Sequence, residues 1–415
     1  MKTTTIFILL IMVIFLTMEK IALAESWSAS KLTGYNGPVN CEYFIDNQTG
    51  FVGGLMDYYM FKTADGGSSW YRVNVPNSVD FSSIMFANAS TGYASTENGF
   101  VMKTTNGGEN WFSAGTPVGV IHALYVFSPT TVIIVAQSGY IYKTTNGGTN
   151  WINYSVSYSG YGPYSVTFAP SGKGFAVADA PSPLWMSTNS GNNWTLSNPF
   201  TGFIGKSVRF NGNVGFIAGS LGSSYAIQRT TDDGTTWSNE TFAAGQFECI
   251  SFANALTGYA VGYSGSGHDT ARVYKTTDNG ITWNQVFQKV GIIYSVACTQ
   301  SNVFLGCDSG NVMSSGLIGI QPISTEIPKN FSLGQNYPNP FNPTTDINIS
   351  IRESGNVKVT VFDVSGKEVA VLVNQIMKPG IYKVDFNASN LTSGVYFYRI
   401  VSSSFTETKK MVLVK

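Results

Sequence analysis

The chain has 415 residues and carries 24 basic and 24 acidic side chains, so its formal net charge at pH 7 is zero. This balance gives no electrostatic footprint for binding nucleic acid or an anionic membrane surface. Charged residues make up 12% of the chain and aromatic residues 14%, and this composition, with its abundant glycine, favours many short strands joined by tight turns.

The first 24 residues are predicted to be a secretory signal peptide. Lys2 provides a positive start, an apolar run extends from Ile6 to Leu16, and Ala22-Leu23-Ala24 is a small-residue cleavage site. The apolar run is too short to act as a stable membrane anchor. We therefore expect an exported chain with no membrane span after cleavage.

A loop that ends in tryptophan then recurs about every forty residues, and a period of this length predicts a repeat fold. Each copy has an Asp or Asn five residues before the tryptophan and a glycine three residues before it. The six pairs are Asp65 and Trp70, Asn106 and Trp111, Asn146 and Trp151, Asn189 and Trp194, Asp232 and Trp237, and Asp278 and Trp283.

The second repeat predicts four short antiparallel strands, and four strands per repeat indicate a β-propeller. The segment around Trp27 matches the strand after each loop, and Gly310 to Ser315 match the strand before it. The two ends of the region therefore predict a seventh unit. The expected fold is an all-β, seven-bladed β-propeller over residues 25–316, with its last blade closed by the N-terminal strand.

The chemistry of the loop explains why it recurs. Its Asp or Asn can accept hydrogen bonds from its own turn, its glycine can adopt a positive φ, and its tryptophan can cover the neighbouring blade. The loop resembles the Asp-box, or BNR repeat, of sialidases, some glycoside hydrolases, sortilin-type receptors and the propeller family that assists photosystem II assembly. The short regular blades are most similar to that last family. The resemblance implies that the box residues, and Trp27 with them, are structural and lie away from the ligand face.

A second module follows a predicted linker over residues 317–330. Alternating strands predict a small β-sandwich over residues 331–415. Its opening segment, with Asn339-Pro340-Phe341-Asn342-Pro343, and its end, Lys409 to Lys415, resemble the type A sorting domain of the type IX secretion system. The resemblance implies that the type IX translocon binds residues 331–415, and that the chain is secreted or held at the outer-membrane surface of a Bacteroidetes-like bacterium.

A ligand face is expected where the loops between second and third strands meet the loops that join the blades. Aromatic side chains on such loops can stack on sugar rings or apolar peptide side chains. The candidate ligand-binding residues are Tyr58, Tyr59, Tyr158, Tyr161, Tyr164, Tyr225, His268 and Asp269. The sequence thus favours a non-catalytic propeller that recognises a glycan or a protein.

Two other functions stay open at this point. A glycoside hydrolase would need two carboxylates that flank a cleft, from among Asp57, Glu97, Asp179 and Asp269. A rigid structural spacer would need no concave face. Sialidase chemistry is not expected, because its three converging arginines would have to come from Arg72, Arg209, Arg229 and Arg272.

No cofactor or metal site is predicted, because His122 and His268 are the only histidines and no Cys/His cluster has metal-ligand spacing. Cys298 and Cys307 flank an expected hairpin, so a cross-strand disulfide between them is conceivable. Cys41 and Cys249 occupy matching positions in two repeats and are expected to be small buried residues.

Overall fold

The computed structural model describes residues 27–55, 59–76, 80–117, 119–155, 162–178, 184–197, 199–264, 269–300, 302–316, 320–324, 327–377, 379–388, 391–402 and 405–415. Within these ranges the chain forms β-strands and two 3₁₀ turns, Gln137–Gly139 and Asp308–Gly310. The described part of the chain has no helix that is long and apolar enough to cross a membrane.

The first 28 strands form seven antiparallel sheets of four strands each. In sheets 1 to 6 the four strands follow one another along the chain. Sheet 1 is β2 (Val39–Phe44), β3 (Gly50–Gly54), β4 (Met60–Thr63) and β5 (Tyr71–Val73), and sheet 2 is β6 (Phe81–Phe86), β7 (Gly92–Thr96), β8 (Val101–Thr104) and β9 (Phe112–Ser113). Sheet 3 is β10 (Ile121–Val126), β11 (Val132–Ala136), β12 (Tyr140–Thr144) and β13 (Ile152–Asn153), and sheet 4 is β14 (Pro163–Phe168), β15 (Gly174–Ala178), β16 (Leu184–Ser187) and β17 (Thr195–Ser197). Sheet 5 is β18 (Phe203–Asn211), β19 (Val214–Leu221), β20 (Ser224–Thr230) and β21 (Ser238–Ala244), and sheet 6 is β22 (Gln246–Phe252), β23 (Gly258–Ser264), β24 (Thr270–Thr276) and β25 (Asn284–Val290).

Sheet 7 takes its strands from both ends of the region. It contains β26 (Ile293–Cys298), β27 (Asn302–Cys307) and β28 (Asn311–Gly316), and its fourth strand is β1 (Ser28–Lys31). Ser28 pairs with Ser314 and Lys31 with Asn311 in an antiparallel register. The backbone hydrogen bonds of this pair join the first described residues to the end of the repeats.

The first strand of each sheet, which we call the inner strand, contacts the inner strands of two other sheets, and β26 contacts β2. Separate clusters of buried apolar side chains lie between successive sheets. The architecture is therefore all-β and of the propeller type, and its core is divided among the sheet interfaces.

Each tryptophan loop is held by three local hydrogen bonds. In the second loop, the Thr104 hydroxyl donates to Oδ1 of Asn106 (3.0 Å), the Gly108 N–H donates to Thr104 Oγ1 (2.9 Å), and the Asn110 N–H donates to Asn106 Oδ1 (3.1 Å). The same three bonds recur in the other five loops. Gly108 has a φ of 80°, and a Cβ there would lie 2.3 Å from the ring of Phe51 in the preceding sheet, so only glycine fits.

The loop tryptophans pack across sheet boundaries. Trp111 meets Phe51 of sheet 1 and Phe86 of its own sheet edge-on, with ring centroids 6.2 and 5.8 Å away. Trp283 makes the same kind of contact with Phe216 of sheet 5, at 6.5 Å. These contacts bury large apolar surfaces between sheets and connect a local loop to the tertiary fold.

The C-terminal module consists of two four-stranded sheets. One has the order β29 (Ile320–Ser324), β34 (Gly380–Asn387), β31 (Thr344–Ile351) and β30 (Ser332–Leu333); the other has β33 (Glu368–Met377), β32 (Gly355–Phe362), β35 (Gly394–Ser402) and β36 (Phe405–Leu413). Both sheets contribute to one apolar core that includes Ile347, Val359 and Tyr398. Strand β29 lies within residues 317–330, which the sequence predicts to be a linker. It is a strand because its backbone pairs with β34, and its place at the edge of the sheet tolerates Pro322.

The structure contradicts the possible disulfide between Cys298 and Cys307. Cys298 lies opposite Val303 and Cys307 opposite Ile293, and four residue steps on the regular strand separate these pairs, so the two cysteines are about 13 Å apart along the strand pair. Both are thiols.

Candidate ligand-binding face

Each inner strand carries a β-bulge near its first residue. The register shift falls between residues 39 and 41 in β2, and at the matching step of the other six inner strands. The extra residue at each bulge belongs to a set that we call the bulge ring: Asn40, Ser82, His122, Tyr164, Lys206, Glu248 and Tyr294.

The residue after each bulge is small, and in five of the seven sheets its side chain makes a hydrogen bond to another sheet. Ser295 Oγ donates to the Val39 carbonyl (3.1 Å), and the Cys41 thiol lies 3.8 Å from the Phe81 carbonyl. The Val208 N–H donates to Ser165 Oγ at 3.1 Å. The bulges are thus fixed by contacts between sheets, and their positions are well defined.

The bulge ring lies at the end of the sheets opposite the tryptophan loops. Antiparallel pairing places the start of each inner strand beside the loop between second and third strands, as the bond from the Glu97 N–H to the Asp80 carbonyl (2.9 Å) illustrates. A cavity of about 390 Å³ is lined by residues of all seven inner strands, and two members of the bulge ring, Asn40 and Ser82, are among them. This volume is in the range of small-molecule and peptide-side-chain pockets.

The repeats differ most where the ring lies. The residue two positions after each ring residue is Ile84, Leu124, Val166, Val208, Ile250 or Val296 in six of the sheets, because it packs between sheets. The ring itself contains an amide, a hydroxyl, an imidazole, two phenols, an ammonium and a carboxyl group. Packing does not require this variety, so the ring is the best candidate for a ligand-binding surface.

Three neighbouring sheets contribute a stack of rings and charge. The His122 and Tyr164 rings lie parallel, with centroids 4.3 Å apart and planes 5° apart, and Lys206 Nζ lies 4.7 Å from the Tyr164 centroid. His122 Nδ1 is 3.0 Å from the Pro163 carbonyl. All three ring residues are half-buried, so part of each faces solvent. Such a group can offer an aromatic surface together with positive charge.

Sheets 6 and 7 contribute the carboxyl group of Glu248 and the phenol of Tyr294 to the bulge ring. Burial raises the pKa of the Tyr294 phenol, and the nearby Asp308 and Glu248 carboxylates raise it further. Asp308 is held by Lys289 (3.2 Å) and by the Ile292 N–H (3.2 Å). The ring therefore combines hydrogen-bonding phenols with charges of both signs.

Sheet 2 brings two carboxylates together at the same end. Glu97 follows β7 and Asp80 precedes β6. Burial raises the pKa of Glu97, and the charge of Asp80 adds to the effect. Glu97 is a candidate from the sequence and Asp80 is not, because only the folded chain brings the two residues together.

An acidic side chain also lines the cavity at a position that is apolar in the other sheets. Glu42 Oε1 accepts a hydrogen bond from Ser295 Oγ (3.0 Å), whereas Oε2 is buried and has no hydrogen-bond partner among the described residues. Burial raises the pKa of Glu42 to about 8, an effect larger than the opposing one of the Ser295 hydrogen bond. Near neutral pH this group is therefore mainly the neutral acid.

Only some of the predicted ligand-binding residues lie in the described part of the chain, and these differ in their surroundings. Tyr58, Tyr158, Tyr161 and His268 lie outside the described residues, as do Asp57 and Asp179. Tyr59 is exposed and lies under the Arg72 guanidinium, 3.8 Å from its ring centroid. Asp269 is also exposed, and Tyr164 belongs to the bulge ring.

The prediction that Tyr225 lies on the ligand-binding face is contradicted by its burial. It is completely buried and packs against Phe247 and Tyr274, with ring centroids 4.6 and 5.7 Å away. Its place in β20 directs the side chain into the interface with sheet 6 and not into a loop. It is a core residue.

The arginines that sialidase chemistry would need do not converge. Arg209 lines the cavity, and Arg229 donates to the Asn279 carbonyl in the tryptophan loop of the next sheet (3.2 Å). Arg72 is occupied by Tyr59 and by the Gly34 carbonyl (2.8 Å), and Arg272 lies 3.4 Å from the Ala244 carbonyl.

Among the described residues, no cluster of three or more His, Cys, Asp or Glu side chains could hold a metal ion.

Sequence signals could have revealed the ring. Of the seven ring residues, the sequence predicts only Tyr164 to bind a ligand, and His122 stands out only as one of two histidines. No signal within a single repeat marks the other five, which are Asn40, Ser82, Lys206, Glu248 and Tyr294. Alignment of the seven repeats on their tryptophans would have shown these residues as one variable polar column.

These features define an all-β protein of the Asp-box propeller type, with structural loops at one end of its sheets and a polar bulge ring at the other, joined to a β-sandwich. Residues 335–415 match the family model of the secretion system C-terminal sorting domain, and residues 19–160 match that of the photosynthesis system II assembly factor YCF48. The predicted resemblance to both families is thereby confirmed. The sorting domain implies handling by type IX secretion and a Bacteroidetes-like origin.

Solved structures of similar fold agree with this class. One is described as YCF48 bound to D1 peptide (19% identity, TM-score 0.58, 70% of this chain and 96% of that chain). Another is YCF48 from Cyanidioschyzon merolae (18%, 0.57, 70% and 98%), and a third is a virginiamycin B lyase from Staphylococcus aureus (12%, 0.58, 71% and 99%). At these identities the likeness concerns the fold alone. A search of curated proteins found no significant match.

Proposed function

We propose that this chain is an exported, non-catalytic binding protein that recognises a glycan or a protein segment at the bulge ring. The observation that carries the proposal is the ring itself: it is the polar, variable position of an otherwise regular repeat, and its members Asn40 and Ser82 line a cavity. Aromatic rings, phenol hydroxyls and charges of both signs suit either kind of ligand. The concave face also favours binding over a role as a spacer.

The finer architecture belongs to the same proposal. We infer that the seven sheets are the blades of one ring within residues 25–316, closed by β1, that residues 1–24 are a signal peptide, and that residues 331–415 form the sorting domain. Contacts between successive inner strands, and between β26 and β2, support the ring. The exported protein acts outside the cell or at the outer-membrane surface.

A peptide is one concrete ligand class. One structure of similar fold is described as bound to a peptide. For this chain, we infer only that an extended segment can lie across the ring, with a side chain in the cavity. Photosystem II assembly is not inferred, because a type IX sorting domain sends the chain out of the cell.

Ligand arrays test the proposal. The mature chain is incubated with arrays of polysaccharides and of surface proteins, and the supernatants are analysed for released sugars. We expect retention without products, about tenfold weaker for Tyr164→Ala. Tyr71→Ala is the matched control, because Tyr71 is also exposed in part but lies on the outer strand β5. Equal retention of both variants would overturn the assignment of the ring.

A second candidate is a glycoside hydrolase that uses Asp80 and Glu97. A carboxyl group of raised pKa beside a second carboxylate is the arrangement that such enzymes use for the acid and its partner. Oligosaccharides released by the mature chain, and not by Glu97→Gln, would establish this function instead.

A further inference from the structure

A second cavity, of about 440 Å³, lies at the border of the apolar cluster between sheets 4 and 5. It shares no described lining residue with the first cavity and includes no member of the bulge ring. We call it the sheet 5 groove, and the lining residues that bear on its chemistry are Phe200, Thr201, Phe203, Gln228, Trp237 and Asn239. Within the described part of the chain, no charged side chain lines this groove.

Gln228 departs from the pattern of the repeats. It lies two positions before the Thr or Ser that opens its tryptophan loop, and it is only 5% exposed. In the other five sheets that carry such a loop, the same position is aromatic or methionine: Phe61, Met102, Tyr142, Trp185 and Tyr274. Burial of an amide is unfavourable unless its hydrogen bonds are made, so packing alone would favour an apolar side chain in sheet 5 as well.

Two amides lie side by side in the groove. Gln228 and Asn239 are opposite each other in the register of β20 and β21, and Gln228 Nε2 donates to Asn239 Oδ1 (2.9 Å). Gln228 Oε1 and Asn239 Nδ2 form no hydrogen bond with any described residue. The pair therefore keeps one acceptor and one donor group for a ligand, and the bond between the two amides fixes their orientation.

Aromatic side chains form a corner beside the amides. Phe200 and Trp237 meet edge-on, with ring centroids 5.9 Å apart and planes 79° apart, and Phe203 packs against Phe200 at 5.4 Å. Trp237 is half-buried, and its Nε1 donates to the Gly234 carbonyl (3.2 Å). Because packing and this hydrogen bond already hold the rings, a ligand would lose little affinity to the ordering of side chains.

This combination of groups suits an uncharged sugar. The C–H face of a pyranose ring packs against aromatic side chains, and its hydroxyl groups both donate to and accept from amides. The volume of the groove is in the range of small-ligand pockets. An acidic sugar or a phosphate would find no cationic partner in the described lining.

We propose that the sheet 5 groove is a second binding site of this protein, and that its ligand is an uncharged sugar unit of a glycan. Gln228 and Asn239 bind the hydroxyl groups, while Phe200 and Trp237 contact the apolar face of the sugar ring. The inference goes beyond the proposed function, because it holds whether the bulge ring binds a glycan or a protein.

Calorimetric titration of the mature chain with maltohexaose, cellohexaose and mannohexaose tests the inference. We expect at least one of these uncharged oligosaccharides to bind, and Gln228→Met to weaken that binding about tenfold. The fold should tolerate this change, because methionine occupies the same position in sheet 2. Gln285→Met is the matched control, since it makes the same change at an exposed position of β25 and should bind like the unchanged chain.

Asn239→Ala provides a second variant that is independent of the buried site. Asn239 is exposed, so the variant should fold, and it should also weaken binding about tenfold because it removes one amide of the pair. Urea unfolding of all variants shows whether they are folded. If Gln228→Met does not fold, Asn239→Ala decides the outcome.

Tyr164→Ala separates the groove from the bulge ring. If this variant loses the oligosaccharide while folded Gln228→Met and Asn239→Ala retain it, the glycan binds at the bulge ring; the groove is then wrong and the proposed function stands. Binding of none of the three oligosaccharides also overturns the groove as a sugar site. Binding of N-acetylphenylalaninamide in their place, lost in Gln228→Met, would make the groove a pocket for an apolar peptide side chain and would equally overturn the proposal.

Discussion

The imidazole of His122 lies flat on the phenol ring of Tyr164, with 4.3 Å between centroids, although the two residues belong to different sheets. Because the Pro163 carbonyl also contacts His122 Nδ1, the stack has a defined place in the bulge ring. The two side chains should therefore act as one unit in binding.

A double-mutant cycle tests this coupling. His122→Ala and Tyr164→Ala should each weaken ligand retention, and the double variant should bind about as weakly as either single one, with a coupling of about 1 kcal/mol. Affinities for whichever array ligand is retained provide the measurement. Additive losses would show that the two rings act independently. Combining His122→Ala with Tyr71→Ala gives the reference for additivity.

Removal of a loop tryptophan should destabilise the propeller. Trp111→Ala takes away contacts with Phe51 and Phe86 and leaves a cavity between two sheets, at a cost of about 3–5 kcal/mol in the free energy of unfolding. The adjacent Phe112→Ala, at an exposed position, should cost less than about 0.5 kcal/mol. Urea unfolding of both variants compares them, and equal losses would mean that the tryptophan does not pack as described.

Acid should weaken the loop that contains Asp232. Hydrogen bonds from the Thr236 hydroxyl and N–H and from Thr230 lower the pKa of Asp232 to about 2. In the unfolded chain this pKa is about 3.9. The carboxylate therefore contributes stability above the unfolded value, and this contribution is lost as the pH falls through about 2.

Asp232→Asn is the matching variant, because Asn already occupies this position in three other loops. Its stability should fall less between pH 4 and pH 2 than that of the unchanged chain, as measured by thermal unfolding across that range. Parallel curves for the two proteins would contradict the assignment.

Glu42 should make the protein less stable as the pH rises. Its pKa of about 8 in the folded state exceeds the unfolded value of about 4.3. Between these values the unfolded chain loses its proton first, so the penalty is absent below pH 4, grows with pH and is complete above pH 8.

Glu42→Val replaces the carboxyl group by the kind of residue that the other six sheets carry. We expect it to raise the free energy of unfolding at pH 8 by about 2 kcal/mol, and by much less at pH 5. Urea unfolding at both pH values provides the comparison. A gain of equal size at pH 5 and pH 8 would indicate better packing and no effect of ionisation.

Much of the fold follows from local chemistry that the sequence displays. The three bonds of the Asp232 loop connect residues no more than four positions apart, so eight residues are enough to recognise the loop. The period of these loops predicts an all-β propeller, and the segments 339–343 and 409–415 mark the sorting domain.

The proposed ligand face is harder to predict, because its residues come from seven repeats and no single repeat contains it. Tyr225 has the same residue type as Tyr164, yet Tyr225 is buried in a sheet interface and Tyr164 is a half-buried member of the bulge ring. Cys298 and Cys307 are close in sequence, but the strand register separates them. Loop structure is fixed by hydrogen bonds to near neighbours, and the amino-acid sequence is sufficient for it. Which side chains meet across seven sheets depends on long-range strand pairing and packing, and only the folded chain brings them together.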